Sequence, residues 1–148
     1  MVVLNLTRQS IPARNARYAS GFGTRLSGLI GKRFSSAMDG MVFDRCNAIH
    51  TFFMGYPIDV IFADEKYRVL KTVPAFPPWR PFLACRNAFY VIELPVGTLE
   101  STATAVGDQL DLTGALSPET LKQWLQKKLP KVTRPEACSA GIDKRPQQ

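Results

Sequence analysis

CNAIHTFFMGYPIDVIF, residues Cys46–Phe62, carries the only histidine of the chain, a cysteine four residues before it and one aspartate inside an apolar run. In a strand, alternate residues share a face. A strand over Ala48–Phe53 therefore sets Cys46, Ala48, His50, Phe52 and Met54 on one side and Asn47, Ile49, Thr51 and Phe53 on the other. Both sides carry apolar groups, the pattern of a strand covered on both faces. Ile58–Ala63 follows as a second apolar run. A two-residue Gly55-Tyr56 turn between them suits glycine at its first position. Its closing hydrogen bond, however, needs an amide hydrogen that Pro57 lacks, so a longer loop is expected. With a three-residue loop, His50 and Asp59 lie on opposite faces. With a four-residue loop they share one as diagonal neighbours, about 7–8 Å apart. Both registers stay open. A buried Asp59 must be paired or hydrogen-bonded, and the expectation is a structural one: it ties down backbone amides, Arg25 or Arg80.

Further strands are expected at Val2–Leu6, Asn15–Ala19, Gly40–Phe43, Arg68–Val73, Ala88–Leu94 and Gln109–Leu112, from apolar alternation and β-branched or aromatic runs. Short helices fit Thr24–Leu29, Thr98–Ala105 and Pro118–Leu129. In the last, Ser117 caps, Pro118 suits the first turn and Leu121, Trp124, Leu125 and Lys128 form a narrow stripe before Pro130. PAFPPWRP, Pro74–Pro81, has four prolines in eight residues and reads as an extended edge or a stiff loop. The expected architecture is mainly β: a compact β-sandwich, jelly-roll-like domain or barrel with two or three short helices. Residues 1–113 would form this domain, 114–130 a C-terminal amphipathic helix and 131–148 a disordered basic tail.

The 148 residues are 45% hydrophobic and 21% charged, ordinary values for a globular chain. No uninterrupted apolar run approaches a membrane span, and the N-terminus lacks the pattern of a secretory signal, so the cytoplasm is the expected location. The net charge of +7 is uneven. Residues 1–38 hold six basic and no acidic side chains, residues 39–120 six against ten, and residues 121–148 seven against two. Basic ends of this kind can attract nucleic acid or an anionic membrane surface.

Several segments together resemble a known family: RLSGLIGKR (Arg25–Arg33), DGMVF (Asp39–Phe43), IHTFFMGYPIDVIFADEKYRVL (Ile49–Leu70), PPWRP (Pro77–Pro81) and YVIELPVGTLESTATAVGDQL (Tyr90–Leu110). Their order and spacing are similar to those of the domain of unknown function 192 family, a group of small prokaryotic proteins. The likeness covers about residues 14–112. It implies a single β-sandwich or jelly-roll-like domain with short helices, and no established activity. Many members carry Trp-Met-Lys-Asn-Thr where this chain reads HTFFMGY.

No complete catalytic constellation is visible. Cys46, His50 and Cys85 could begin a zinc site, but no CxxC or HxxxH pair supports it, so neither metal nor cofactor is expected. Cys46 and Cys85 are candidate thiols; a disulfide between them needs neighbouring strands and an oxidising compartment. A Cys46 nucleophile assisted by His50 and Asp59 would need an accessible, electropositive pocket. The favoured expectation is a non-enzymatic binding or accessory module for a small ligand or protein partner. Its candidate surface is formed by His50, Asp59, Trp79 and Arg80. Trp79 beside Arg80 on a stiff segment can stack on a sugar ring or base, or meet a protein. A polyanion binder working through the basic termini, and an enzyme using Cys46, His50 and Asp59, are the alternatives.

Overall fold

A computed structural model describes residues 1–19 and 29–113. Its centre is Ile58–Ala63, IDVIFA, in which all six residues are buried. The first five strands are β1 (Val3–Asn5), β2 (Ser10–Ala13), β3 (Ala16–Ala19), β4 (Gly40–Asp44) and β5 (Ala48–Ile49). The central β6 (Ile58–Ala63) is followed by β7 (Val69–Phe76), β8 (Leu83–Ala84), β9 (Tyr90–Leu94), the short helix α1 (Thr98–Ser101) and β10 (Leu110–Asp111). A five-stranded sheet has the order β3-β4-β9-β6-β7, a three-stranded sheet β10-β1-β2, and β5 pairs with β8 in a separate ribbon. All pairings are antiparallel except β3 with β4.

The five-stranded sheet is apolar on both faces. Ile61, Ile92, Val42 and Leu94 join Val3, Leu99 and Leu110 in one core, which brings in the three-stranded sheet. Val60, Phe62, Val91, Met41 and Phe43 form the other with Ile58, Leu29, Met38 and Met54. This two-sided burial explains the unbroken apolar run of β6. Where β4 begins, a Cβ on Gly40 would lie 3.0 Å from Ala13 Cβ and 3.2 Å from Leu94 Cδ2, so a larger residue would press the layers apart by a few tenths of an ångström.

The mainly β reading holds. The sheets are open and no barrel closes: β3 and β7 end the large sheet without pairing to each other. The strand expected over Ala48–Phe53 stops at Ile49 and pairs with β8, so no hairpin joins it to β6. Two strands escape the sequence pattern. Pro12 lies in β2, an edge position where its missing amide costs no ladder bond. β8 has only two residues. β7 runs through Pro74 to Phe76 because it too is an edge, and Ala75 there adopts a left-handed φ of 46°. The helix expected over Thr98–Ala105 ends at Ser101, where the Thr102 hydroxyl bonds Thr98 O and Ala103 turns to φ 51°. The helix expected at Pro118–Leu129 and the tail lie outside the described residues, as does Thr24–Leu29 except for Leu29. The described residues all belong to one compact unit, Met1–Ser117. Among them no helix is long and apolar enough to cross a membrane.

Asp59 locks this arrangement. Buried on β6, its Oδ1 accepts the Ala75 amide of β7 at 2.8 Å and its Oδ2 the Leu99 amide of α1 at 2.9 Å. The expected role in tying down backbone amides is what the geometry displays, with the amides as partners. An Asp59→Asn variant turns an NH2 toward one of those donors and should lose about 2–3 kcal/mol of unfolding free energy in urea titration; a midpoint equal to the parent protein's contradicts the clamp.

Candidate functional site

Thr51 has no exposed surface and organises the end of the molecule where β5 leaves its ribbon. Its amide donates to Arg80 O at 2.9 Å and its carbonyl accepts from the Trp79 amide at 2.8 Å. Its hydroxyl donates to Pro77 O at 2.8 Å and accepts from the Arg80 amide at 3.0 Å. Four hydrogen bonds thus fasten the Thr51–Met54 turn to PPWRP. Two aromatic residues project from this junction, and both have left-handed backbones: Phe53 with φ 61° and Trp79 with φ 60°. Bulky side chains rarely tolerate that region. Their rings meet edge to face at 5.2 Å, and Phe52 lies 6.3 Å from Phe53. Phe52, Phe53 and Trp79, joined by these ring contacts, are 38, 67 and 58% exposed and form one aromatic surface, and Phe82, three residues beyond Trp79, is 69% exposed. Arg80 is exposed beside them.

Phe53 also walls a cavity of about 210 Å3, together with Lys32, Arg33, Tyr56 and the backbone at Gly31 and Gly55. The Tyr56 hydroxyl donates to Lys32 O at 2.6 Å. Burial and then Glu93, once ionised, push the Tyr56 phenol up, while Arg33 draws it down, so both residues lie within electrostatic reach of this cavity's wall. Glu93 is itself buried on β9, on the face of the sheet that carries Met41 and Val60. Its Oε2 has no hydrogen-bond partner, and burial raises the carboxyl to about 8. Glu93 is therefore neutral at pH 7.

The expected site residues do not converge. Trp79 and Arg80 stand on the aromatic surface, and His50 is half-buried at its edge, 5.7 Å from Phe52, with a buried Nδ1 that has no partner. Asp59 belongs elsewhere. Its oxygens accept from the Ala75 and Leu99 amides, while His50 Nδ1 has no partner, so the two are not joined in a dyad. Cys46 and Cys85 are both thiols, half-buried against the second core, whereas Asp59 faces the first. The Cys46 thiol donates to Ala48 O at 3.1 Å. The Cys46, His50 and Asp59 combination is thus not assembled, and among the described residues no group of His, Cys, Asp and Glu could hold a metal.

Two other polar features are less suited to recognition. Asp108 is desolvated, but hydrogen bonds from Asn5, the Ala105 amide and Arg8 outweigh that and hold its carboxyl low. It joins β1 to the loop before β10 and is satisfied in doing so. A wider cleft of about 460 Å3 lies between Asp64–Lys66 and Arg86–Phe89. Its two acidic and two basic side chains balance, and Asp64 is already engaged by the Lys66 and Arg68 amides, so we favour the smaller cavity beside the aromatic surface. Thr51, Phe52, Phe53, Phe82, Arg33 and Glu93 were not foreseeable as a set. Their one legible signal was the density of aromatic residues beside glycine and proline turns.

Comparison with known proteins places the chain among uncharacterised relatives. The profile of the family described as Uncharacterized ACR, domain of unknown function 192, matches residues 3–112. A UPF0127 protein of Pyrococcus horikoshii is 39% identical over 97 residues, covering 64% of this chain and 84% of that one. Another, from Pyrococcus furiosus, is 32% identical over 115 residues, covering 74% and 96%. A crystal structure of a protein of unknown function from Novosphingobium aromaticivorans superposes with a TM-score of 0.66 at 18% identity, covering 75% of this chain and 84% of its own. At that identity the likeness concerns the fold alone.

Glu93 generates a pH prediction. In the fold it keeps its proton up to about pH 8, whereas in the unfolded chain it loses it near the ordinary carboxyl value of 4.5. Unfolding therefore releases a proton between these values, and stability falls as pH rises through the window, by up to about 1.4 kcal/mol per pH unit. Thermal midpoints measured from pH 5 to pH 8.5 should decline in the parent protein and decline markedly less in Glu93→Gln. Parallel curves for the two would contradict the buried neutral carboxyl.

Proposed function

The chain belongs to the domain of unknown function 192 family, and on that premise we propose that it is a non-enzymatic binding module that captures its ligand by stacking on Trp79 and Phe53. One observation carries this reading: two large aromatic side chains are held in solvent, edge to face, on backbones of positive φ. Exposing them forgoes burial, and each left-handed backbone costs about 1 kcal/mol or more. Such strain persists only where the surroundings over-determine it, and Thr51 supplies that constraint. A rigid aromatic face loses little entropy on binding. Its natural counterparts are other flat or ring-shaped groups: a sugar, a base or a proline ring. Arg80 adds an exposed guanidinium at the rim, suited to directional hydrogen bonds.

The reading is supported by the positions of the candidate catalytic groups among the described residues: the Cys46 thiol bonds Ala48 O, Asp59 bonds the Ala75 and Leu99 amides, and His50 Nδ1 has no partner.

Trp79 reports on its own surface once Trp124, the second of two tryptophans, is replaced by Phe in the full chain. Titration with oligosaccharides, nucleosides and proline-rich peptides should quench or shift its fluorescence with one of these classes. Trp79→Ala, followed by calorimetry, should weaken that ligand by about 1–3 kcal/mol with little change in thermal midpoint. If no class binds, or if Trp79→Ala binds as well as the parent, the platform is not a recognition surface.

A further inference from the structure

We propose that the ligand of the aromatic platform is a ring compound bearing an anionic group, phosphate or carboxylate, and that Arg33 receives that group in the cavity behind Phe53. The inference rests on the stacking reading and adds the chemistry of the second end of the ligand. Phe53 is the link. One contact of its ring is with Trp79 on the platform, and it is also a wall of the cavity. A ring lying on Trp79 therefore has a cavity one side chain away.

The cavity is cationic. Arg33 and Lys32 line it, and among the described residues no carboxylate does. Arg33 is exposed and forms no ion pair among the described residues. Glu93, the acidic group that acts on Tyr56 at the cavity wall, is uncharged at neutral pH and does not offset the arginine. At about 210 Å3 the space is smaller than the roughly 300–1,000 Å3 typical of whole-ligand pockets. It admits a charged terminus and leaves the ring outside. Gly31 and Gly55 add backbone and no side chain to its lining, and a Cβ at either would stand in open space. A guanidinium suits a phosphate or carboxylate through paired hydrogen bonds.

Calorimetric titration of the full-length protein tests this with matched probes: glucose 6-phosphate and glucuronate against glucose, adenosine monophosphate against adenosine, and inorganic phosphate alone. At least one anionic member should bind about tenfold or more tighter than its uncharged parent. That advantage should shrink to less than about threefold in Arg33→Ala and Arg33→Gln and diminish in high salt. Whether phosphate or carboxylate is preferred is read from the two glucose derivatives. Equal binding of charged and neutral partners, or a preference that survives both Arg33 variants, overturns the inference. So does inorganic phosphate binding as tightly as the phosphorylated rings. If the neutral rings bind and Trp79→Ala abolishes them without any charge preference, the cavity falls and the platform stands. If anions bind with Arg33 dependence but without Trp79 dependence, the platform falls. If no probe binds, both fall.

Discussion

A single buried threonine decides the shape of the end of this protein that carries Phe53 and Trp79. Thr51 closes hydrogen bonds to Pro77, Trp79 and Arg80 through its amide, carbonyl and hydroxyl. The bond from its amide to Arg80 carries on from the β5–β8 ladder, in which Ala48 opposes Ala84 and Ile49 opposes Leu83. The chain is thus drawn toward PPWRP and away from β6. The turn that follows needs positive φ at Phe53, and the proline-rich loop needs it at Trp79. Neither conformation is favourable alone. Thr51 lets them coexist, and the exposed aromatic pair is the consequence.

Behind this end the large sheet supplies rigidity, and its two buried carboxyls show how differently one chemical group can be used. Asp59 faces the first core and is fully bonded, one oxygen to the edge strand β7 and the other to helix α1. Glu93 faces the second core, with an oxygen that has no partner, and keeps its proton. The first carboxyl secures elements against each other. The second keeps negative charge out of the region where Tyr56 and Arg33 stand, at some cost in stability.

Much of the fold was legible, and the limits have physical causes. Ile58–Ala63 reads correctly because a strand covered on both faces needs apolar residues throughout. Ala48–Phe53 carries the same signal yet is mostly loop, because the hydrogen bonds that end it come from residues about 30 positions later. β2 was hidden by Pro12, which is tolerated only because that strand is an edge. Of the site, Trp79 and Arg80 stood out from their stiff proline-rich setting. Phe53 did not, since a position in a presumed strand conceals a positive φ. The His50–Asp59 pairing failed with the hairpin on which it depended. Glu93 was overlooked inside VIEL, where a charged residue flanked by apolar strand positions was the available signal.

The central assertion is that the platform is rigid before any ligand arrives, and amide hydrogen exchange measures this directly. In the free protein the Trp79 and Arg80 amides, both bonded to Thr51, should exchange as slowly as amides of β6 and β9. Backbone order parameters there should be near the rigid value of about 0.85, and Thr51→Val should release the Arg80 amide. Exchange at the rate of an open loop, with order parameters under about 0.6, would contradict a preorganised surface.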